Sequence, residues 1–151
     1  NIDNITVETC KTEDELLVKW CELIQQEDPD IIIGYNIFGF DYEFMYRRAQ
    51  ENRCINEFLM LSRIKDEQCF KIRDGEVAIE NTKVVLASGE YDLKYYKMCG
   101  RLQIDMYTYF RKDFNLSSYK LDDVAGEFIG DEIVKTNQIT KSRKKYTELY
   151  S

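Results

Sequence analysis

The sequence lacks histidine altogether and has only one proline among its 151 residues. Without histidine, Ser-His-Asp and Cys-His catalysis and histidine-bound zinc are excluded. The five cysteines show no C-x-x-C spacing, so we expect reduced thiols that mostly fill the core. The sequence contains no run of 18 apolar residues, so no membrane span is predicted, and its first residues show no signal-peptide pattern. Any chemistry must come from carboxylates, lysines, tyrosines or a bound metal.

The charge balance restricts the function further. The chain is 44% hydrophobic and 32% charged, which is typical of a globular protein, and its net charge is −7. A free-standing nucleic-acid-binding protein usually has a basic face, so this charge argues against one. A domain that holds a short single-stranded end through metals is still compatible with it. The basic run at residues 141–145 is interpreted as a solvated tail.

Hydrophobic periodicity predicts alternating strands and helices in the first third of the chain. In order, we expect a strand over residues 5–9, a helix from a Thr12/Glu15 capping box to about Glu27, a strand over 31–33 and a helix over 41–52. The run Ile31-Ile32-Ile33 should be covered on both faces. The second helix should bury Phe44, Met45 and Ala49. The predicted class is α/β with a layered sheet.

The strands and helices described above form a predicted core unit over residues 1–57. The rest of the chain is predicted to form three further segments. Residues 58–100 should form a hairpin-rich excursion, with strands near 69–73 and 83–87 and turns at Asp74-Gly75 and Ser88-Gly89. Residues 101–130 should form a returning strand, a helix over 106–113 and a helix over 119–129 that ends at Gly130. Residues 131–151 are predicted to be irregular. Because the chain starts at Asn1 and stops without a closing element, we expect a fragment of a longer polypeptide.

Polar residues cluster where the isoleucine-rich strand ends. Asn36 follows the strand, and Asp41 opens the next helix, where the free amides favour an ionised carboxylate. Open α/β sheets bind ligands in the crevice at this edge, and an ionised carboxylate suits a hard divalent metal. The same spacing also fits a turn residue and a helix cap, so both explanations stay open.

The stretch DPDIIIGYNIFGFDYEFMYRRA, residues 28–49, resembles the second exonuclease motif of the family B DNA polymerases. It has the Asn, three residues, aromatic residue and Asp of that motif, and it is most similar to the delta-type and large-DNA-virus branch. TEDELLVKWCELIQQEDPD resembles the helix before the motif. Residues 82–131 resemble the later part of the same domain, with extra residues around Glu90 to Lys97.

This resemblance implies a ribonuclease-H-like 3′–5′ proofreading exonuclease fold, which is incomplete at both ends of this chain. The family uses two divalent metals, Mg²⁺ or Mn²⁺, and four acidic residues, of which the motif Asp matches Asp41. Asn36 is implied to bind near the terminal nucleotide or a metal-bound water. Phe40 is implied to buttress the site and Phe38 to lie along the single strand, while a core position for Phe38 stays open.

The other three acids belong to an Asp-x-Glu motif, which would precede Ile5, and to a Tyr-x-x-x-Asp motif. The segment from Tyr119 to Asp123 has the Tyr-x-x-x-Asp spacing. It lies, however, in the stretch that precedes this motif in the family, so we interpret it as a chance match, or decoy. Asp105 is interpreted as a cap of the next helix, with an indirect role in the site as the alternative. Arg101 is interpreted as an ion-pair or surface residue rather than a phosphate contact.

The implied partners are the single-stranded 3′ primer end of DNA, the rest of the polymerase chain and a sliding clamp, with no membrane. The implied location is the nucleus or a viral replication compartment. Two other functions are weighed against this one. They are a stand-alone DNA exonuclease and a non-catalytic structural domain of the same fold.

Overall fold

The computed structural model describes residues 5–73, 76–86 and 89–130. The described part belongs to two compact units, one that extends to Met106 and one that begins at Tyr107. The predicted tail over 131–151, with its basic run, and the predicted turn at Asp74-Gly75 lie outside the described residues, as does Ser88 of the second turn.

The first unit contains helices, a π-helical turn and three small sheets. Its elements are α1 (Glu13–Glu27), β1 (Ile31–Gly34), the π turn (Ile37–Asp41), α2 (Tyr42–Glu51), α3 (Ile55–Phe58), β2 (Lys71–Arg73), β3 (Glu76–Ala78), β4 (Glu80–Leu86), β5 (Gly89–Tyr95) and β6 (Leu102–Asp105). Helices α4 (Met106–Asp113) and α5 (Leu121–Ile129) follow. The π turn and α3 were not predicted from the sequence.

Helix α1 confirms the predicted helix but not its capping box. The Thr12 side chain makes no capping hydrogen bond, and the Glu15 carboxylate instead accepts the Lys11 backbone N–H at 2.9 Å. The helix ends at Asp28, whose backbone is left-handed, directly before the proline. The strand expected over residues 5–9 is wrong, because residues 5–10 have no regular structure and no strand partner in the described part.

Strand β1 pairs with β6 in parallel, with Ile31 opposite Leu102 and Gly34 opposite Asp105. The prediction that both faces of β1 are covered is wrong for the described part. Ile32 packs against the core, whereas Ile31 and Ile33 are 52% and 60% exposed. The reason is the two-residue period of a strand, since core elements cover one face of this two-stranded sheet and leave alternate side chains outside.

Helix α2 forms one wall of the core. It buries Tyr42, Tyr46 and Ala49, so the prediction was correct for Ala49 and wrong for Phe44, which is exposed. The i, i+4, i+7 spacing of the buried residues defines the inner face. They pack with residues of several other elements, namely Cys21, Phe58, Leu59, Leu61, Cys69 and Tyr96.

The predicted hairpin-rich excursion is present. Strands β2 and β3 form a short antiparallel pair, and β4 and β5 form a longer one that extends from Glu80 opposite Tyr95 to Leu86 opposite Gly89. Cys21, Cys54 and Cys69 are buried free thiols, as expected of core-filling cysteines. Burial raises the pKa of Cys21 to about 11 and that of Cys69 to about 12, so both thiols stay protonated at neutral pH.

In the second unit, α4 has the predicted bounds and α5 begins two residues later than predicted. Val124 is buried, and an aromatic cluster joins the two helices and the segment between them through Tyr109, Phe110, Phe114 and Phe128. None of the helices in the described part combines the length and apolar character that a bilayer crossing needs.

Candidate functional site

The loop that follows β1 is fixed by a buried carboxylate from the neighbouring strand. Asp105 ends β6 and is buried; its Oδ1 accepts the backbone N–H of Asn36 at 2.7 Å, and its Oδ2 accepts the backbone N–H of Phe38 at 2.9 Å. Parallel pairing places Gly34 and Asp105 side by side, so the loop and the carboxylate meet at the same edge of the sheet. These contacts favour the alternative interpretation of Asp105, an indirect role in the site.

Asn36 closes a tight turn over Gly39. Its backbone is left-handed, with φ of 62°, and its carbonyl accepts the N–H groups of Gly39 and Phe40 at 3.2 and 3.0 Å. The Asn36 amide lies directly against the Gly39 Cα: a Cβ built there would overlap Oδ1 and lie 3.2 Å from Cγ. Residue 39 must therefore be glycine for Asn36 to keep this orientation.

Asp41 ends the π turn and is exposed. Its backbone is helical, and its side chain makes no capping hydrogen bond, so the structure does not support the simple explanation of Asp41 as a helix cap. The described residues provide no hydrogen bond or ion pair to this carboxylate. An exposed, unpaired carboxylate has the chemistry of a ligand for Mg²⁺ or Mn²⁺.

One carboxylate is not enough to hold two divalent ions. Within the described ranges, no group of three or more Cys, Asp or Glu side chains could together hold a metal. Asp105 is adjacent, but its oxygens already accept backbone N–H groups. Within the described part, Asp41 could therefore supply only one ligand to a divalent metal.

The aromatic residues of the loop occupy two different environments. Phe38 is half-buried and contacts the rings of Tyr42 and Tyr95, with centroid distances of 5.9 and 5.8 Å. Phe40 is 59% exposed and stacks on Phe44, which is 51% exposed, at 5.7 Å and 11° between the ring planes. The contacts of Phe38 are those of a core residue, whereas Phe40 presents a ring to solvent next to Asp41.

Tyr42 is a buried residue beside the site that sequence reasoning missed. Its hydroxyl has no hydrogen-bond partner in the described part of the chain. Burial raises the pKa of this hydroxyl, and the charges of Asp105 and Asp41 raise it further. Tyr42 is therefore a neutral phenol at physiological pH and cannot act as a base. No pattern in the sequence distinguishes it from the other ten tyrosines.

The sequence profile described as "DNA polymerase family B, exonuclease domain" matches residues 1–124 of the chain. The chain belongs to this family. The resemblance drawn from the motif at residues 28–49 is therefore confirmed.

Similar proteins agree with the family B assignment. The chain is 39% identical over 151 residues to the "DNA polymerase" of Phaeocystis pouchetii virus, which covers 99% of the chain and 14% of that protein. It is 41% identical over 140 residues to the "DNA polymerase" of Pyramimonas orientalis virus, a match that covers 93% of the chain and 11% of that protein. It is 34% identical over 134 residues to the "DNA polymerase delta catalytic subunit" of Oryza sativa subsp. japonica, a match that covers 87% of the chain and 11% of that protein. The chain thus spans about a tenth to a seventh of their length.

In this family B exonuclease chain, the side chains of Tyr119 and Asp123 have local structural roles. The Tyr119 hydroxyl donates to the Phe114 carbonyl at 2.7 Å, and Asp123 accepts the Ser118 hydroxyl at 2.5 Å. Both bonds join near neighbours, and the interpretation of Tyr119–Asp123 as a decoy stays a prediction.

Arg101 is structural rather than a phosphate contact. Its side chain is 2% exposed, and it donates to the carbonyls of Leu61 and Pro29 and to the Asp28 carboxylate, at 3.1, 2.8 and 2.8 Å. The predicted ion-pair role is confirmed. Asp28 and Pro29 lie just before β1, and Leu61 lies just after α3. Arg101, which directly precedes β6, therefore holds both of these segments next to β6.

Proposed function

We propose that this chain is the proofreading segment of a DNA-directed DNA polymerase, with a ribonuclease-H-like fold that segments outside the described residues complete. It would remove mismatched nucleotides from the 3′ end of DNA by metal-dependent phosphodiester hydrolysis. Family membership and the polymerase names of the relatives support this proposal. Polymerisation, and binding of a sliding clamp, would belong to the longer polypeptide. It would act in the nucleus or in a viral replication compartment.

The observation that carries the proposal is the exposed, unpaired Asp41 carboxylate at the carboxyl edge of the β1–β6 sheet. It ends the same π turn over which the Asn36 carbonyl accepts the Phe40 N–H at 3.0 Å. The amide, the aromatic ring and the carboxylate therefore belong to one short turn, and Asp105 holds that turn in place. This arrangement can present three kinds of contact to one nucleotide end.

Two divalent ions, Mg²⁺ or Mn²⁺, would activate the attacking water and stabilise the leaving 3′ oxygen. Asp41 would hold one of them together with ligands outside the described residues. Asn36 would bind the terminal nucleotide. Phe40 would stack on a base of the single strand, which contributes about 1–3 kcal/mol per base in comparable sites. We assign Phe38 the task of anchoring the turn beneath Phe40.

The decisive experiment replaces Asp41 by alanine in the full-length polymerase. We expect loss of Mg²⁺-dependent 3′–5′ digestion of a 5′-labelled single-stranded oligonucleotide, with primer extension retained. Asp92→Ala is the matched control, since it removes an exposed aspartate from strand β5. If Asp41→Ala digests DNA at the wild-type rate, the proposed site is wrong, and a non-catalytic structural domain becomes the better explanation.

A second comparison separates the two loop aromatics. Phe40→Leu should raise the KM for single-stranded DNA roughly tenfold, because a stacked base loses its platform. Phe38→Leu should instead lower the thermal stability of the chain, because Phe38 contacts Tyr42 and Tyr95. An unchanged KM in Phe40→Leu would remove Phe40 from the DNA-binding surface.

A further inference from the structure

The carboxyl end of strand β5 packs directly on the turn that carries Asp41. Tyr96, directly after β5, is fully buried, and its hydroxyl donates to the backbone carbonyl of Tyr42 at 2.6 Å. The rings of Tyr96 and Tyr42 are also in contact, with centroids 4.6 Å apart. Tyr42 is the residue that follows Asp41, so Tyr96 holds the first residue of α2 by both its ring and its backbone.

Strand β6 holds Tyr96 in turn. The Gln103 side-chain amide donates to the Tyr96 carbonyl at 2.7 Å. Gln103 and Asp105 are two positions apart on one strand, so their side chains share a face. Through these two residues, β6 fixes the Asn36–Phe38 end of the turn and, by way of Tyr96, the Tyr42 end.

The two residues before Tyr96 strengthen the same contact. Tyr95 packs its ring on Phe38 at 5.8 Å, and the Lys94 ammonium pairs with the Glu43 carboxylate at 2.5 Å. Lys94 and Glu43 are each about three-quarters buried, and the hydrogen bond from Lys94 lowers the pKa of Glu43. Three consecutive residues of the chain thus each bind the segment from Phe38 to Glu43.

We propose that Tyr96 is a positioning residue for the Asp41 carboxylate, acting through its hydrogen bond to the Tyr42 carbonyl. The inference rests on the proposed function, because it names a support for the same site.

The physical argument is that Asp41 lacks any restraint of its own in the described part. Its direction is set by the backbone on either side, which Asp105 fixes before it and Tyr96 after it. A buried O–H···O=C bond has little freedom. Loss of the hydroxyl leaves Tyr42 held by Tyr96 only through ring packing, while the Lys94–Glu43 ion pair still binds the next residue of α2. Displacement of a catalytic group by about 1 Å can reduce a rate by up to about 100-fold.

The test compares two tyrosines of matched chemistry in the full-length polymerase. Tyr96→Phe removes the hydroxyl that binds the Tyr42 carbonyl. Tyr46→Phe is the control, since Tyr46 is also buried and its hydroxyl also donates to a backbone carbonyl, that of Val77, at 2.5 Å. Tyr46 lies one turn farther along α2, and its acceptor lies in β3.

Tyr96→Phe should lower kcat for Mg²⁺-dependent digestion of a 5′-labelled oligonucleotide roughly 10- to 100-fold, with KM and primer extension unchanged. Tyr46→Phe should leave kcat within about twofold of the wild-type value. Hydrogen–deuterium exchange without metal gives a second readout: Tyr96→Phe should speed exchange in the peptide over residues 37–45 more than Tyr46→Phe does. Equal losses of kcat in both variants, or none in Tyr96→Phe, would overturn the inference.

Gln103→Met is a second variant, used if Tyr96→Phe does not yield soluble protein. It removes the bond to the Tyr96 carbonyl and also a buried oxygen that has no partner in the described residues, so its stability should change little. Gln103→Met should also lower kcat, and a wild-type kcat in this variant would contradict the inference. If Asp41→Ala keeps wild-type digestion, the proposed function fails. If Asp41→Ala is inactive and Tyr96→Phe is not, only the role of Tyr96 fails.

Discussion

Asp105 and Asn36 are separated by 69 positions in the sequence, yet the Asp105 carboxylate accepts the Asn36 backbone N–H at 2.7 Å. The second carboxylate oxygen accepts the N–H of Phe38. Parallel pairing of β1 and β6 makes this approach possible, because Gly34 and Asp105 are direct neighbours across the sheet. The conformation of the turn therefore depends on a residue from a different part of the chain.

Asp105→Asn should destabilise the chain and disturb this turn. An asparagine offers one acceptor oxygen and places its NH₂ against a backbone N–H, and hydrogen bonds to a charged group contribute about 1.5–3 kcal/mol each. We expect the free energy of unfolding of the 151-residue chain to fall by about 2–3 kcal/mol, measured by urea denaturation. Asp92→Asn should change it by less than about 0.5 kcal/mol. Equal values for Asp105→Asn and wild type would mean that the turn does not need the carboxylate.

Gly39→Ala should act through Asn36 rather than through stability. The added Cβ meets the far end of the Asn36 side chain, which can rotate away at little cost to the fold. Asn36→Ala should lower the proposed exonuclease rate of the full-length protein, and Gly39→Ala should lower it to about the same level. The double variant should lose no more than Asn36→Ala alone, because both changes remove the same interaction. Additive losses in this double-mutant cycle would show that Gly39 has a separate role.

The 151-residue chain by itself should not digest DNA. Asp41 alone cannot hold two divalent ions, and the described residues form no group of three metal-binding side chains. The assay is digestion of a labelled single-stranded oligonucleotide in Mg²⁺ or Mn²⁺, with the full-length polymerase as the positive control. Metal-dependent 3′–5′ digestion by this chain would mean that the ligand set assigned to the site is wrong.

Stability should fall in acid partly through Asp28. Hydrogen bonds from Arg63 and Arg101 hold the pKa of Asp28 below its ordinary value in the folded chain, whereas an unfolded aspartate titrates at about 3.9. The stabilisation is complete above the unfolded-state pKa and is lost as the pH falls through the folded-state pKa. Urea denaturation between pH 5 and pH 3 should therefore show a fall in the free energy of unfolding for the wild-type chain, part of which comes from Asp28.

Asp28→Asn should make this acid dependence shallower. Asp30→Asn is the matched control, because it removes the same charge from a side chain that is 86% exposed and also pairs with Arg63. The fall between pH 5 and pH 3 should be smaller in Asp28→Asn than in Asp30→Asn. Identical slopes in the two variants would exclude Asp28 as a source of the acid sensitivity.

Local signals in the sequence predicted the elements whose periodicity is strong. Helix α1, the β4–β5 hairpin and helix α4 follow from apolar spacing and turn residues within a single stretch of chain. Asp41 and Asn36 could be selected because their motif is also local. The inner face of α2 was predicted only in part: Ala49 is buried as expected, whereas Phe44 is exposed and stacks on Phe40.

The supports of the site depend on contacts between distant segments, which spacing alone does not encode. Asp105 reaches the turn from β6, and Tyr96 reaches it from the end of a hairpin. In the sequence, Tyr96 is one of two adjacent tyrosines, and nothing marks it as the one that binds the Tyr42 carbonyl. Likewise, three consecutive isoleucines indicated a strand covered on both sides, but their exposure depends on which other elements lie against it.

The π turn also limits how this region can change during evolution. A π turn contains one residue more than an α-helical turn, so removing one residue between Ile37 and Asp41 would convert it to an ordinary helical turn. Helix α2 would then keep Tyr42, Tyr46 and Ala49 in the interior, but the side chains of Asn36 and Asp41 would be separated by one position fewer, about 100° of rotation about the helix axis. The segment can therefore exchange side chains at exposed positions such as Phe40, whereas a deletion there would change the spacing between Asn36 and Asp41.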